Sequence, residues 1–181
     1  MRSMMGQPRG RPVKIPQIQY AFPKKSALSN EMQRLVRERK SAIKKVFERS
    51  WQGYRNHAWL RDELAPLSGT SRNHYGGWAG TLVDSLDTLW IMGLREEFEE
   101  AVQSVETIDF TTTDQDEINT FETTIRYLGG LLAAYDISSG QYPSLLEKAV
   151  ELGKCLEEYP CYCVYVHGWD YTVGEVLLLI T

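Results

Sequence analysis

The chain carries at positions 121–135 the stretch Phe-Glu-Thr-Thr-Ile-Arg-Tyr-Leu-Gly-Gly-Leu-Leu-Ala-Ala-Tyr. Its large apolar residues recur every three or four positions, which is the spacing of one face of an α-helix. The residues on that face are Phe121, Ile125, Leu128, Leu132 and Tyr135. The pattern therefore predicts a helix that packs against a protein core along this stripe.

Two charged residues, Glu122 and Arg126, lie beside the stripe and one helical turn apart. At this spacing the two side chains share a face and can pair with each other or bind the same ligand. Charged groups next to a core are costly to bury unless they are paired or hydrogen-bonded. Spacing alone favours a structural ion pair at the start of the helix over a catalytic site, and it leaves both interpretations open.

The same helix contains the glycine pair Gly129-Gly130. Each glycine in a helix interior costs about 1 kcal/mol relative to alanine. The sequence therefore predicts a compensating feature, and the close approach of a neighbouring helix is the simplest one. A hinge at the same place is the alternative.

Helical periodicity recurs on both sides of this segment. A first helix is expected to begin at Ser29 or Asn30, either of which can cap it, and to end before Pro66. Its apolar face would comprise Met32, Leu35, Val36, Ile43, Val46, Phe47, Trp51, Tyr54 and Ala58. Further helices are predicted over 80–93, with Gly93 ending the helix, over 96–108, and over 143–156.

These patterns predict an all-α fold of about five helices in hairpin pairs. The connections are short to medium, and no credible pair of strands is visible before residue 157. Residues 68–80 are expected to form a loop with four glycines. In the helix that follows this loop, Asp84 and Asp87 share a face and could act as a pair of carboxylates, but they are expected to bond loop amides. Trp90 is expected to pack in the core. Trp78, within the loop, could stack on a sugar.

Charge is distributed unevenly along the 181 residues. Residues 1–50 hold 13 Lys and Arg against three acidic residues, while the whole chain has a net charge of −4. Such a basic arm could meet nucleic acid or an anionic membrane. Its aromatic residues are sparse, however, so the sequence favours a flexible lead-in over 1–28, followed by the solvated face of a basic helix, and no nucleic-acid partner.

Few residues offer the chemistry of a metal site or a disulfide framework. Cys155, Cys161 and Cys163 form an odd, clustered set, and His57 and His74 lack ligand partners at metal spacing. No metal site is predicted. The first residues lack the apolar core of a signal peptide, and no apolar run approaches the roughly 20 residues of a membrane-spanning helix.

Four blocks of sequence occur in an informative order: Asp62–Ser68, Gly80–Leu94, Glu97–Ala101 and Phe121–Tyr135. Together they resemble the amino-terminal third of the class I alpha-1,2-mannosidases, glycoside hydrolase family 47. The resemblance extends from about Arg39 to Leu156. Four blocks in register are far more specific than a single short motif.

The resemblance implies an (α/α)7 barrel, here partial, with a sugar site at one mouth. It also implies inverting hydrolysis of alpha-1,2-linked mannose in high-mannose N-glycans, a calcium cofactor, and a location in the endoplasmic reticulum, in the Golgi or outside the cell. Glu122 matches the family's proton-donating acid, and Arg126 matches a substrate-site arginine. The family's calcium site is carboxy-terminal, so it is not expected among these residues.

The family pattern stops after Leu156. We therefore expect residues 29–156 to be an incomplete catalytic domain and residues 157–181 to be a divergent tail of a truncated or frame-shifted product. The resemblance implies that the second catalytic carboxylate and any membrane anchor are missing, and that the chain by itself has no measurable mannosidase activity. The alternative function is a non-catalytic, mannosidase-like glycan-binding factor of quality control in the endoplasmic reticulum.

Overall fold

The computed structural model describes Tyr20, residues 28–113, Gln115 and residues 118–158. The chain divides into two compact units, residues 1–41 and residues 42–181. Apart from Tyr20 and Leu28, the predicted lead-in over 1–28 lies outside the described residues. The predicted tail lies outside them from residue 159 onward, and so do Cys161 and Cys163.

The first helix, α1, spans Asn30–His57. The Ser29 hydroxyl oxygen accepts a hydrogen bond from the Met32 amide at 3.2 Å, which makes Ser29 the cap, as predicted. Burial begins only at Trp51 and continues at Tyr54. Among the described residues, burial is thus confined to the last turns of α1, and Ile43 on the predicted apolar face is 58% exposed. For the first half of α1, a core-facing role of this face stays a prediction.

A short β-hairpin follows α1. Strand β1, Glu63–Ala65, pairs antiparallel with strand β2, Thr70–Arg72, in a register that places Glu63 opposite Arg72. The prediction that no strands pair before residue 157 is wrong. Strands of three residues are too short to show the alternation of apolar and polar residues that reveals longer strands in a sequence.

Helices α2, Gly80–Met92, and α3, Arg95–Glu106, form the first helical hairpin. Gly93 ends α2 in the left-handed conformation with φ 71°, as predicted. The facing apolar residues are buried in the core, and they are the predicted ones: Leu82, Leu86 and Leu89 from α2, and Phe98, Val102 and Val105 from α3.

The second hairpin begins with the segment that contains Glu122 and Arg126. It consists of a short helix α4, Thr120–Glu122, a π-helical turn, Thr123–Leu128, and helix α5, Gly129–Ile137. Helix α6, Pro143–Glu158, completes it. Helix α5 packs against α2 and α6, and α3 packs against α6. The described residues thus confirm a helix-rich fold of hairpin pairs, with the β-hairpin as an addition.

The π-helical turn changes which residues of this segment are buried. The buried residues are Thr123, Tyr127, Leu128, Leu131 and Ala134. Of the predicted stripe, Phe121 is 56% exposed and Ile125 is 51% exposed, so the prediction is wrong for both. A π-helical turn closes its hydrogen bonds over five residues instead of four, which shifts the phase of the buried face.

Close packing explains why glycine occupies one of the two positions of the pair, Gly130. A Cβ atom on Gly130 would lie 3.0 Å from both Cγ1 and the carbonyl oxygen of the buried Val83 on α2. A Cβ atom on Gly129 would meet only the Thr124 carbonyl oxygen, at an ordinary 3.5 Å. The predicted close approach of a neighbouring helix is confirmed at Gly130.

Candidate active site

Arg126 joins two carboxylates from different helices. Its Nε donates to Glu122 Oε2 at 2.6 Å, and its Nη1 donates to Asp84 Oδ2 at 2.7 Å. The side chains of all three residues are between 26% and 36% exposed. The cluster is therefore partly shielded from water and still accessible to a ligand.

A ring completes the cluster. The guanidinium carbon of Arg126 lies 4.4 Å from the centre of the Tyr75 ring, which is cation–π geometry. Two carboxylates and one aromatic face thus fix the position of a single arginine. We call Glu122, Arg126, Asp84 and Tyr75 the arginine cluster.

The arginine cluster contains two carboxylates but only one positively charged group, the guanidinium of Arg126. Burial raises the pKa of Asp84, the hydrogen bond and the charge of Arg126 oppose that rise, and the negative charges of Glu122 and Asp87 add to it. The hydrogen bond that Arg126 donates to Asp84 raises the pKa of Arg126, which stays charged. Arg126 bonds both carboxylates. Protonation of Asp84 would therefore remove its repulsion with Glu122 and leave the ion pair of Glu122 and Arg126 in place.

Asp62 positions the loop that carries Tyr75. This carboxylate is 1% exposed and accepts hydrogen bonds from the backbone amides of Tyr75 at 2.7 Å, Gly77 at 2.9 Å and Gly80 at 3.1 Å. The amide donors offset the cost of burying the charge. The sequence carries a hint of this role, since glycines downstream of Asp62 allow close approach of the backbone, but the role was not predicted.

Tyr127, next to Arg126 in the chain, ties this loop to the π-helical turn. Its fully buried hydroxyl group lies 3.0 Å from Asp62 Oδ1 and 2.7 Å from the Tyr75 carbonyl oxygen, and it donates toward these acceptors. Burial raises the pKa of Tyr127, and the charge of Asp62 raises it further. The phenol therefore stays protonated and acts as a donor.

The prediction for Asp84 and Asp87 is wrong. Neither bonds a loop amide in the described structure: Asp84 pairs with Arg126, and Asp87 Oδ1 accepts from the Thr88 hydroxyl group at 3.1 Å. Asp62 has the role that was expected of them. No spacing rule could have revealed the pair of Asp84 and Arg126, because 42 residues separate them in the chain.

The tryptophans pack within the protein. Trp78 is 4% exposed, and its indole N–H donates to the Thr112 carbonyl oxygen at 2.7 Å. Trp90, as predicted, is a packing residue, with its ring centre 5.1 Å from that of Phe98. Among the described residues, neither ring lies in the arginine cluster.

The two histidines of the described region form no ion pair or hydrogen bond with Glu122, Arg126 or Asp84. His57 ends α1, and His74 Nε2 lies 3.5 Å from Glu63 Oε1. Across residues 28–113 and 118–156, no three His, Cys, Asp or Glu side chains lie close enough to hold a metal ion. Within the same ranges, no helix is both long enough and apolar enough to cross a bilayer.

The family of the chain follows from its sequence. Residues 46–159, more than half of the chain, match the model of glycosyl hydrolase family 47. The chain belongs to glycosyl hydrolase family 47. The matched range lies within a few residues of the predicted one, except that it starts later, at residue 46 instead of 39.

Similar proteins of this family come from distant organisms. A mannosyl-oligosaccharide alpha-1,2-mannosidase of Coccidioides posadasii is 39% identical over 128 residues, which are 71% of this chain and 24% of the relative. The human endoplasmic reticulum mannosyl-oligosaccharide 1,2-alpha-mannosidase is 46% identical over 118 residues, which are 65% of this chain and 16% of the relative.

A solved structure supports the same family. The alpha-1,2-mannosidase from Trichoderma reesei superposes with a TM-score of 0.62 and 36% identity, covering 65% of this chain and 27% of that one. The family 47 chain described here thus spans about a quarter or less of the length of these relatives.

Proposed function

We propose that this family 47 chain is part of an alpha-1,2-mannosidase that acts on high-mannose N-glycans, with Glu122 as the general acid and Arg126 as a substrate-binding residue. The observation that carries the proposal is the arginine cluster, in which an accessible glutamate and arginine are held in register by Asp84 and Tyr75. The names of the relatives support mannosyl-oligosaccharides and the alpha-1,2 linkage, and the family resemblance supplies the high-mannose N-glycan.

Glu122 has the chemistry that the proposed role requires. An inverting glycosidase protonates the departing glycosidic oxygen with one carboxyl group, while a second carboxylate about 6.5–9.5 Å away activates a water molecule. Arg126 holds Glu122 through Nε, which orients the carboxyl group, and its charge can also bind sugar hydroxyl groups.

Asp84 is assigned a positioning role in this proposal. Its Oδ2 is bonded to Arg126 Nη1, on the side of the guanidinium that Glu122 does not occupy. The resemblance assigns the second catalytic carboxylate to a part of the family domain downstream of the matched residues. Hydrolysis would then need that part of the domain, whereas binding at the arginine cluster would not.

Calcium does not fit the described residues. The acidic side chains of the arginine cluster already share a cation, the guanidinium of Arg126, and the described ranges contain no group of three possible ligands. No step of the mechanism is therefore assigned to calcium here. The resemblance implies a calcium site in the carboxy-terminal part of the family domain.

Two further properties belong to the proposal. The stacked hairpins α2–α3 and α5–α6 would be one sector of an (α/α)7 barrel, because α2 and α5 lie side by side, each backed by its partner helix. The names of the human and rat relatives place those proteins in the endoplasmic reticulum, which supports a location in the secretory pathway.

Mannose release by a chimera tests the proposal. Residues 46–156 would replace the equivalent segment of the Trichoderma reesei enzyme, which then supplies the rest of the domain. We expect the chimera to release mannose from Man-alpha-1,2-Man and Glu122→Gln to lower the rate by about 10²–10⁴-fold. A folded chimera that keeps its rate with Gln at this position would overturn the assignment of the acid.

Asp136→Asn in the same chimera is the matched control, because Asp136 is exposed on α5 and lies outside the arginine cluster. Its rate should equal that of the parent. The unaltered 181-residue chain, assayed in parallel, is expected to release no mannose.

A further inference from the structure

A concave region adjoins the loop that carries Tyr75 of the arginine cluster. It is a pocket of about 450 Å³ between the loop of residues 73–78 and the loop of residues 107–113, with Leu60 and Arg61 at one side. Its volume falls within the roughly 300–1,000 Å³ range of small-molecule sites. We call it the loop pocket.

The two loops are fastened to each other. The Trp78 indole N–H donates to the Thr112 carbonyl oxygen at 2.7 Å, and the Thr113 hydroxyl group donates to the Gly76 carbonyl oxygen at 2.9 Å. Gly76 has φ 94°, and a Cβ atom on it would lie 2.6 Å from the Trp78 ring. The pocket is therefore preformed, and its wall depends on a residue without a side chain.

Three polar groups of the lining keep hydrogen-bonding capacity. Arg61 has no side-chain bond or ion pair within the described part of the chain. Asn73 uses its side-chain oxygen to accept from the Asp62 amide, which leaves its NH₂ group available. Asp109 accepts from Thr111 through Oδ1 only, which leaves Oδ2 available.

This set of groups selects the chemistry of a ligand. Arg61 and Asn73 supply donors, while Asp109 supplies an acceptor. Hydrogen bonds from Thr111 hold the pKa of Asp109 below its usual range, so this carboxylate stays ionised and would repel an anion. A neutral ligand rich in hydroxyl groups, which both donate and accept, satisfies all three groups at once.

The loop pocket and the arginine cluster share one short loop. Tyr75 packs on Arg126, while its neighbours Gly76 and Gly77 line the pocket. Trp78, also in the lining, has its ring centre 5.7 Å from that of Tyr127, the residue after Arg126. Residues 75–78 therefore contribute to both sites.

We propose that the loop pocket is a second carbohydrate subsite, which binds a neutral hexose unit of a branched oligosaccharide through Arg61, Asn73 and Asp109. The inference rests on the proposed function for its ligand class. It adds a binding site that requires neither Glu122 nor Arg126.

Nuclear magnetic resonance of the full 181-residue chain tests this subsite with Man-alpha-1,2-Man as the probe. The Gly76 and Gly77 amides and the Trp78 indole report on the loop pocket, and the Arg126 side-chain N–H reports on the arginine cluster. We expect the pocket signals to shift saturably. Arg61→Ala should weaken this binding about tenfold, since it removes a charged donor.

Two further variants test whether the shift depends on the residues of the loop pocket. Asp109→Asn keeps the side-chain volume and removes the charge, so it should also weaken the sugar-dependent shift of the pocket signals. Asp136→Asn, which is exposed on α5 and lies outside both sites, should leave that shift unchanged. Retention of the dispersed amide spectrum in each variant shows that the fold is intact.

The outcomes distinguish the two proposals. Shifts confined to the Arg126 signal would overturn the subsite and leave the proposed function standing. Shifts confined to the pocket would support the subsite and count against sugar binding at the arginine cluster. Pocket shifts with inorganic phosphate at lower concentrations than with the sugar, or no pocket shift at all, would overturn the subsite.

Discussion

Replacing each glycine of the pair by alanine should have opposite effects. Gly130→Ala gains about 1 kcal/mol of helix propensity. It also places a methyl group 3.0 Å from Cγ1 and the carbonyl oxygen of the buried Val83, where overpacking costs about 1–3 kcal/mol. One of the two contacts is backbone, which cannot rotate away, so we expect a net loss of about 1 kcal/mol.

Gly129→Ala is the matched control, one residue away in the same helix. Its methyl group would meet only the Thr124 carbonyl oxygen at 3.5 Å, so the propensity gain of about 1 kcal/mol should remain. The two variants should thus differ by about 2 kcal/mol in the free energy of unfolding. Urea denaturation followed by far-ultraviolet circular dichroism measures this difference. Equal stabilisation by both substitutions would refute the close-packing argument.

Three further predictions concern the residues around Arg126. Asp62→Asn should lower the free energy of unfolding by about 3 kcal/mol, because an NH₂ group replaces a carboxylate oxygen that accepts from two donors. The control is Asp136→Asn at an exposed position, which should change the free energy of unfolding by less than about 0.5 kcal/mol in the same urea titration. Tyr127→Phe should cost about 1–2 kcal/mol in that assay, since its hydroxyl group is buried and bonded. The pKa of the Asp84 carboxyl group, followed by carbon-13 resonance, should lie above its usual range, and Arg126→Gln should raise it further by removing the charge that opposes the rise.

The sign of the Asp84 effect on stability follows from its raised pKa. Asp84 loses its proton more readily in the unfolded chain than in the folded one, so its ionisation weakens the fold as the pH rises from the ordinary pKa of Asp to the raised one. A pKa below the usual range would contradict this argument. An Asp62→Asn variant as stable as the parent would show that the stability of the loop does not depend on the buried charge. A Tyr127→Phe variant as stable as the parent would show that it does not depend on the phenol hydroxyl group.

Much of the helical fold was predictable from local pattern. The capping of α1 by Ser29, the end of α2 at Gly93 and the start of α6 at Pro143 all follow from the preferences of single residues. The β-hairpin was not predictable, because strands of three residues carry no readable period. The exposure of Phe121 was missed as well, because the π-helical turn that causes it leaves no signature in composition.

Part of the candidate site was predictable from the sequence and part was not. The pair of Glu122 and Arg126 was visible in the sequence, since residues four apart in a helix are neighbours whatever surrounds them. Asp84, Tyr75 and Asp62 were not assigned to it, because their contacts join segments that are distant along the chain.

The sequence by itself therefore determined the family, the order of the helices and the pairing of Glu122 with Arg126 one helical turn away. All of these depend on interactions between residues near each other in the chain or on blocks that occur in order. Only the tertiary structure decided which carboxylate shares Arg126 with Glu122, which aspartate binds the loop amides, and where the loops enclose a pocket. These depend on how α2 packs against the segment 120–137, and such packing is set by the shapes of buried side chains and by the missing Cβ atom of Gly130.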